Sequence, residues 1–296
     1  MKWSNRLVLA VALGLCAWFL ADRRQALSIL WQRAEIGPLA AATGTFVVFV
    51  FVQVRVSVYV LQAMGARVGT LVASRVVLLS LFGRYVPGKI WVVTLRTGFL
   101  DRHGVSPTTA LASVVTEHLF LLATGGAMFA IAVYLDSAAA GAGLLIVTGL
   151  VLVTLVALPR QLLRGVSGLL RRVRLPTPGE GLNPRRALVV TVAYCGSWLV
   201  LGTGIWLLAL GLGLPLPPRA VVSLAGHYGI AVIGGLLAVF APAGVGVREG
   251  IFTAAMSGHL SATDALFLAL AVRLCVAVAE LVATGLAYAM PVRAAR

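Results

Sequence analysis

Long apolar segments are the feature of this sequence that most constrains its fold. Residues 39–63, 105–135, 187–210 and 263–290 are each as long as the roughly 20 mostly apolar residues that a helix needs to cross a bilayer. Charged residues make up only 11% of the chain, whereas a soluble domain carries about 25% to cover its surface. The sequence therefore predicts an all-α polytopic membrane protein whose solvent is lipid.

Two shorter apolar segments bring the predicted number of full transmembrane helices to about six. Residues 7–21 follow Lys2 and Arg6 and resemble a signal peptide, but no small-x-small cleavage site fits well before Asp22. We therefore interpret this segment as an uncleaved first helix. Residues 141–158 form the other short span, directly after the small, uncharged turn that follows residue 135.

Two further apolar regions, residues 68–98 and 220–259, are interrupted by proline and glycine. Pro87-Gly88 breaks the first region, because proline lacks a backbone donor and glycine tolerates unusual dihedral angles. The run APAGVG at 241–246 breaks the second. Broken backbone at membrane depth is tolerated only where protein or water covers it. We therefore predict two re-entrant hairpins that enter the membrane from opposite sides.

The two broken regions align at a constant offset of 155 residues, which places Pro87 opposite Pro242. The spans that follow them, 105–135 and 260–290, align at the same offset. Inverted repeats whose helices are broken near the midplane are a recurring plan of transporters. The sequence therefore suggests that the two halves of the chain are inverted copies.

The distribution of positive charge predicts the topology. The net charge is +15, and 22 of the 24 basic residues are arginine. Such a charge would suggest nucleic acid as a partner of a soluble protein, but many of these arginines lie in short loops, as the positive-inside rule requires of cytoplasmic loops. We expect a multi-pass protein of the cell membrane that binds no nucleic acid, with both termini and the Arg-rich loop in the cytoplasm.

The domain organisation follows from that loop. Residues 159–186 are the one clear hydrophilic linker, and they divide a single transmembrane domain of residues 1–296 into a first half, 1–158, and a second half, 187–296.

Ionisable side chains gather around the two helix breaks. Charges in hydrocarbon are costly, so they usually face the protein interior or a water-filled cavity. Free N–H groups at the start of a half-helix, beside arginines, favour phosphate or another anion. The candidate substrate-binding residues are Arg84, Pro87, Gly88, Lys89, Arg96, Glu117, His118, Pro242, Gly244, Gly246, Arg248, Glu249 and Arg273. Arg84, Lys89 and Arg273 are expected to contact the phosphate, and Glu117 and Glu249 to balance or position these cations.

Other polar positions favour structural roles. We expect Glu117 to pair with an arginine, and Glu280 and Arg55 to form interhelical ion pairs. His227 and His259 are interpreted as interfacial or core residues. Cys16, Cys195 and Cys275 all lie in apolar stretches and suggest neither disulfides nor a metal site.

Two glycine-rich motifs resemble nucleotide-binding loops only superficially. The run GRYVPGK at 83–89 matches GxxxxGK, but Ile90 stands where a P-loop needs Ser or Thr for Mg²⁺. The run GVGVREG at 244–250 is one residue too long for GxGxxG. We predict no cofactor.

The ordered combination of these motifs resembles the lysylphosphatidylglycerol synthase transmembrane region, or flippase-like, family. The matching features are GRYVPGK at 83–89, Arg96, VTEH at 115–118, PAGVGVRE at 242–249 and Arg273. Ala243 replaces a glycine of the usual second motif, and Glu117-His118 replaces the more common Glu-Arg, so the charge at position 118 depends on pH. The resemblance covers most of the chain.

This resemblance implies movement of a lipid headgroup across the bilayer. Our lead hypothesis is a transporter of a lipid or lipid-linked intermediate that binds an anionic, phosphate-containing headgroup near the midplane. Its expected partners are membrane lipids, either an anionic phospholipid or a polyprenyl-phosphate-linked substrate. No segment resembles the soluble aminoacyl-transferase domain of full-length members, so we expect no synthesis of the modified lipid.

Two alternatives remain open. Some relatives carry glycosyltransferase-like names, so the chain could be a membrane-embedded transferase that uses Glu117 or Glu249 as acid or base. It could also be a membrane partner of another enzyme. The sequence favours a non-enzymatic role without deciding the matter.

Overall fold

The computed structural model describes residues 35–85, 90–157, 182–214, 216–238 and 244–290. Within these ranges the chain forms nine α-helices and no strand, which confirms the all-α architecture. The helices are α1 (Ile36–Ala63), α2 (Thr70–Leu81), α3 (Trp91–Asp101), α4 (Pro107–Asp136), α5 (Ala138–Ala157), α6 (Pro184–Gly211), α7 (Ala220–Leu237), α8 (Val247–Ala255) and α9 (Ala262–Ala289). A 3₁₀ turn, Phe82–Tyr85, follows α2.

Five of these helices, namely α1, α4, α6, α7 and α9, are long and apolar enough to cross a membrane. The apolar part of α5, Gly141–Ala157, is shorter. The outer surface of α5 exposes Ile146, Leu150 and Val153, as expected of a surface that faces lipid. The predicted span at 7–21 and the Arg-rich loop as far as residue 181 lie outside the described residues.

The long helices begin at well-formed caps. Ser106 and Asn183 each accept a backbone N–H with their side-chain oxygen and are followed by a proline at the first helical position of α4 and α6. Proline is favoured there because the missing N–H would have no intrahelical partner. Ser261 caps α9 in the same way by accepting the N–H of Asp264.

The two broken regions form helical hairpins of different shape. In the first, α2 and α3 have 12 and 11 residues. At 1.5 Å per residue, each is about 17 Å long, which is less than the roughly 30 Å of a bilayer core. In the second, the 18-residue α7 is long enough to span and packs against the nine-residue α8.

Helices α8 and α9 correspond to α3 and α4 at the offset found in the sequence. Moved back by 155 residues, α8 and α9 cover 92–100 and 107–134, nearly the bounds of α3 and α4. The packing corresponds as well, because α2 contacts α9 just as α7 contacts α4.

The pairing of α1 with α6 is consistent with the inverted arrangement that the sequence suggests. The backbone N–H of Glu35 donates to Gly211 O at 2.9 Å, at the start of α1 and the end of α6. At the opposite ends of the same helices, Arg186 Nη1 donates to Ala63 O at 2.9 Å. The two helices are therefore antiparallel. A two-fold axis that relates two antiparallel helices is perpendicular to both of them. In a membrane that the helices span, such an axis lies in the membrane plane.

Candidate functional site

A buried ion pair joins α3 to α4 in the first half. Arg96 Nη1 donates to both carboxylate oxygens of Glu117, at 2.8 and 2.7 Å, and both residues are buried. Ser57 on α1 donates to Glu117 Oε2 at 2.8 Å, and Arg96 Nε donates to Ser80 Oγ at 3.2 Å. The expected pairing of Glu117 with an arginine is confirmed. The surrounding hydroxyl groups complete the hydrogen bonding that a buried charge pair requires.

A second ion pair joins α8 to α9 at the corresponding place in the second half. Arg273 Nη1 donates to Glu249 Oε1, while Glu249 Oε2 accepts the backbone N–H of Gly246 at 2.6 Å. Gly246 and Gly244 have φ of +81° and +73°, a conformation that favours glycine. These glycines therefore let the chain turn sharply into α8, and Glu249 caps the helix that the turn starts.

A third ion pair connects the two halves. Arg84 Nη2, in the 3₁₀ turn after α2, lies 2.7 Å from Glu280 Oε1 on α9. The Glu280 side chain is 2% exposed and that of Arg84 is 30% exposed. Glu280 thus forms the interhelical ion pair expected of it. Arg55, by contrast, lies exposed on the outer face of α1 and makes no ion pair with any described residue.

These elements surround a cavity of about 250 Å³. Both hairpins contribute to its wall, since Arg84 and Arg96 come from the first and Gly235 and Arg248 from the second. The other ionisable side chains that line it are Glu117, His118, Tyr194, Tyr228 and Glu280. Most of the wall is apolar, including Phe49, Val54, Leu121, Val232 and Val276.

Arg248, in the first turn of α8, also lines this cavity. Its environment differs from that of Arg84 and Arg96, which form the ion pairs described above. Its Nε is buried and has no hydrogen-bond partner among the described residues. Its guanidinium carbon lies 5.9 Å from the centre of the Tyr228 ring, within the range of a cation–π contact. A buried donor without a partner carries a free-energy cost, which an anionic acceptor in the cavity would relieve.

The structure brings together some of the candidate residues and separates others. Arg84, Arg96, Glu117, His118 and Arg248 line the cavity. Gly244, Gly246, Glu249 and Arg273 form the neighbouring α8–α9 junction and do not line it. Pro87, Gly88, Lys89 and Pro242 lie outside the described residues.

Sequence reasoning missed several polar groups of the cavity wall. Gln53 and Ser57 lie four residues apart on α1, so they share one face of that helix, and both line the cavity. This spacing was a signal of a polar face within an apolar span. Glu280 was assigned a packing role alone, yet it also lines the cavity.

The geometry defines the class of this protein: a multi-pass α-helical membrane protein with a charged cavity between two helical hairpins. The match of a family model is more specific. The chain belongs to the family described as the lysylphosphatidylglycerol synthase TM region, whose model matches residues 6–283. No curated protein matches the chain. Membership makes it a membrane protein of a lipid-related family.

Proposed function

We propose that this protein carries an anionic, phosphate-containing lipid headgroup across the bilayer. The observation that carries the proposal is the cavity between the two hairpins, with Arg248 in its wall. Family membership supports a role with lipids, and the inverted halves match a plan that many transporters share.

The size of the cavity favours a headgroup over a whole lipid. Sites for drug-sized ligands typically have about 300–1,000 Å³, so about 250 Å³ accommodates a small polar group. The hydrocarbon chains of the substrate would then stay in the surrounding bilayer. Phospholipids and polyprenyl-phosphate-linked lipids both fit this description.

The charges of the cavity favour a single anionic group beside Arg248. Arg96 is neutralised by Glu117, and Arg84 by Glu280. A phosphate oxygen could accept the Nε–H of Arg248 in a charge-assisted hydrogen bond, which is about twice as strong as a neutral one. The Arg273–Glu249 pair and the glycine turn before it would hold α8, and thus Arg248, in position.

The proposal is tested by scrambling of fluorescent lipids in proteoliposomes, with the headgroup varied between an anionic phospholipid and a polyprenyl phosphate. Arg248→Gln should slow headgroup movement about tenfold or more, because a hydrogen bond to a charged group contributes roughly 1.5–3 kcal/mol. Arg55→Gln removes the same charge outside the cavity and should leave the rate unchanged. Equal rates for Arg248→Gln and wild type would overturn the proposal.

The contacts of the two candidate acid–base residues argue against the transferase alternative. Both Glu117 oxygens accept from Arg96, and one also accepts from Ser57. Glu249 is held by Arg273 and by the N–H of Gly246. A carboxylate so engaged serves as a counterion. A change in the mass of a labelled lipid incubated with purified protein would favour the transferase instead.

A further inference from the structure

A cluster of three ionisable side chains lies at the end of α4, outside the cavity wall. Asp136, the last residue of α4, places one carboxylate oxygen 3.5 Å from His227 Nε2 and the other 3.4 Å from His259 Nε2. The two imidazole rings are 5.7 Å apart. His227 belongs to α7 and His259 to the turn after α8. One carboxylate thus connects three elements.

The three groups differ in their access to water. The side chain of His227 is 4% exposed, whereas those of His259 and Asp136 are 30% and 36% exposed. The Phe129 ring lies edge-on to His227, with ring centres 6.2 Å apart. Nδ1 of His227 is buried and finds no hydrogen-bond partner among the described residues.

This geometry accommodates one additional proton but not two. One imidazolium is neutralised by Asp136, whereas a second would leave a net positive charge and place two like charges side by side. A doubly protonated His227 ring would also bury an Nδ1–H without an acceptor, which has a free-energy cost. The second proton is therefore bound only if the histidines separate or water reaches His227.

Other charged groups nearby are already engaged or lie farther along the helices. Asp264, at the start of α9, accepts a hydrogen bond from Ser261 Oγ. Gly202 of α6 lies against Val221 and Ala225 of α7, and the half of α6 around it, residues 197–211, contains no ionisable side chain. On α4, α7 and α8 and in the turn before α7, the remaining ionisable side chains are Glu117, His118, Tyr134, Arg219, Tyr228, Arg248 and Glu249.

We propose that His227, Asp136 and His259 form a proton-binding site, and that uptake of the second proton separates the α8 end of the second hairpin from α4. The described conformation is then the less protonated one. Because a ligand shifts a conformational equilibrium toward the state that binds it better, acid favours the separated state. If one proton is linked to the change, the ratio of separated to joined molecules rises by up to about tenfold for each unit by which the pH falls.

The site would act on the cavity through α8. This helix has nine residues and is about 13 Å long, with Arg248 in its first turn and His259 four residues beyond its end. Separation at His259 would therefore displace Arg248. Any consequence for headgroup binding rests on the proposed function, whereas the proton site itself is tested without lipid transport.

The test measures distances between spin labels in nanodiscs from pH 8 to pH 5. The labels are placed on Ser137→Cys and Ser257→Cys in a chain whose three native cysteines are replaced by alanine. We expect a longer distance component that grows on acidification. A reference pair at the other end of α4, Arg67→Cys with Arg102→Cys, should keep its distance.

The variants separate this cluster from other histidines. His227→Gln with His259→Gln should abolish the pH dependence, and His103→Gln, an exposed histidine at the other end of α4, should retain it. Three results would each overturn the proposal. They are an unchanged wild-type distance, a change that persists in the double variant, and an equal change in the reference pair.

Discussion

At the scale of single residues, each of the three buried glutamates of the described chain forms an ion pair with an arginine. Glu117, Glu249 and Glu280 are at most 5% exposed, and their partners are Arg96, Arg273 and Arg84. Removing one partner of such a pair leaves an uncompensated charge, whereas removing both leaves only the packing to be replaced. The pairs are therefore far more sensitive to single substitutions than to matched double ones.

The Arg96–Glu117 pair gives the clearest test of this asymmetry. Glu117→Leu should lower the free energy of unfolding by about 3–5 kcal/mol, because Arg96 stays buried without its counterion. Arg96→Met combined with Glu117→Leu should recover most of this loss. Denaturation of the purified protein in mixed micelles measures both. A single variant as stable as wild type would contradict the assigned pairing.

At the scale of helices, glycines let α4 and α7 pack backbone against backbone. A Cβ on Gly226 would collide with Met128 O and would lie 2.7 Å from the Ala132 Cβ. A Cβ on Gly229 would lie 3.0 Å from Gly125 O. Small residues at such contacts are typical of membrane helices, which lack a hydrophobic drive to associate. This contact also holds His227 beside the end of α4.

Two alanine substitutions, which we expect to change the stability of the protein in opposite directions, test this contact. Gly226→Ala should destabilise the protein, because the neighbouring backbone of α4 must move. Gly196→Ala, on α6, has open space around the added Cβ and should stabilise by up to about 1 kcal/mol, the helix-propensity difference between glycine and alanine. The measurement is the midpoint temperature of thermal unfolding of each variant, compared with that of the wild type. Equal shifts would show that close packing at Gly226 does not matter.

At the scale of the whole molecule, the two hairpins point toward opposite ends of α4. His103 follows α3 and lies next to the start of α4, whereas His259 follows α8 and contacts Asp136 at its end. Because α4 has 30 residues, these ends are about 45 Å apart. The turns after α3 and α8 thus lie at opposite ends of α4, and we expect them to face opposite sides of the membrane.

Labelling with a membrane-impermeant thiol reagent tests this arrangement in the native membrane. In a chain without native cysteines, His103→Cys should react from the cytoplasmic side and Gly258→Cys from the outside. These positions correspond at the 155-residue offset. Ser137→Cys, beside the end of α4, serves as the control and should react from the same side as Gly258→Cys. Reaction of positions 103 and 258 from one side would refute the inverted topology.

The sequence by itself determined that this chain is a helical membrane protein, where its helices break and how its halves correspond. These properties depend on hydropathy, on proline and glycine, and on spacing, all of which act within a short stretch of chain. It also predicted that Glu117 binds an arginine, because a charge in an apolar interior needs a counterion.

Only the tertiary structure decided which arginine binds which glutamate. It placed Arg273 in an ion pair beside the cavity and Arg248 in the cavity wall, and it joined His227 and His259 through Asp136. The partners in these contacts are 21 to 196 residues apart in the chain. Such contacts depend on how helices rotate and pack against one another, and an apolar helix with few polar positions carries little local information about that rotation.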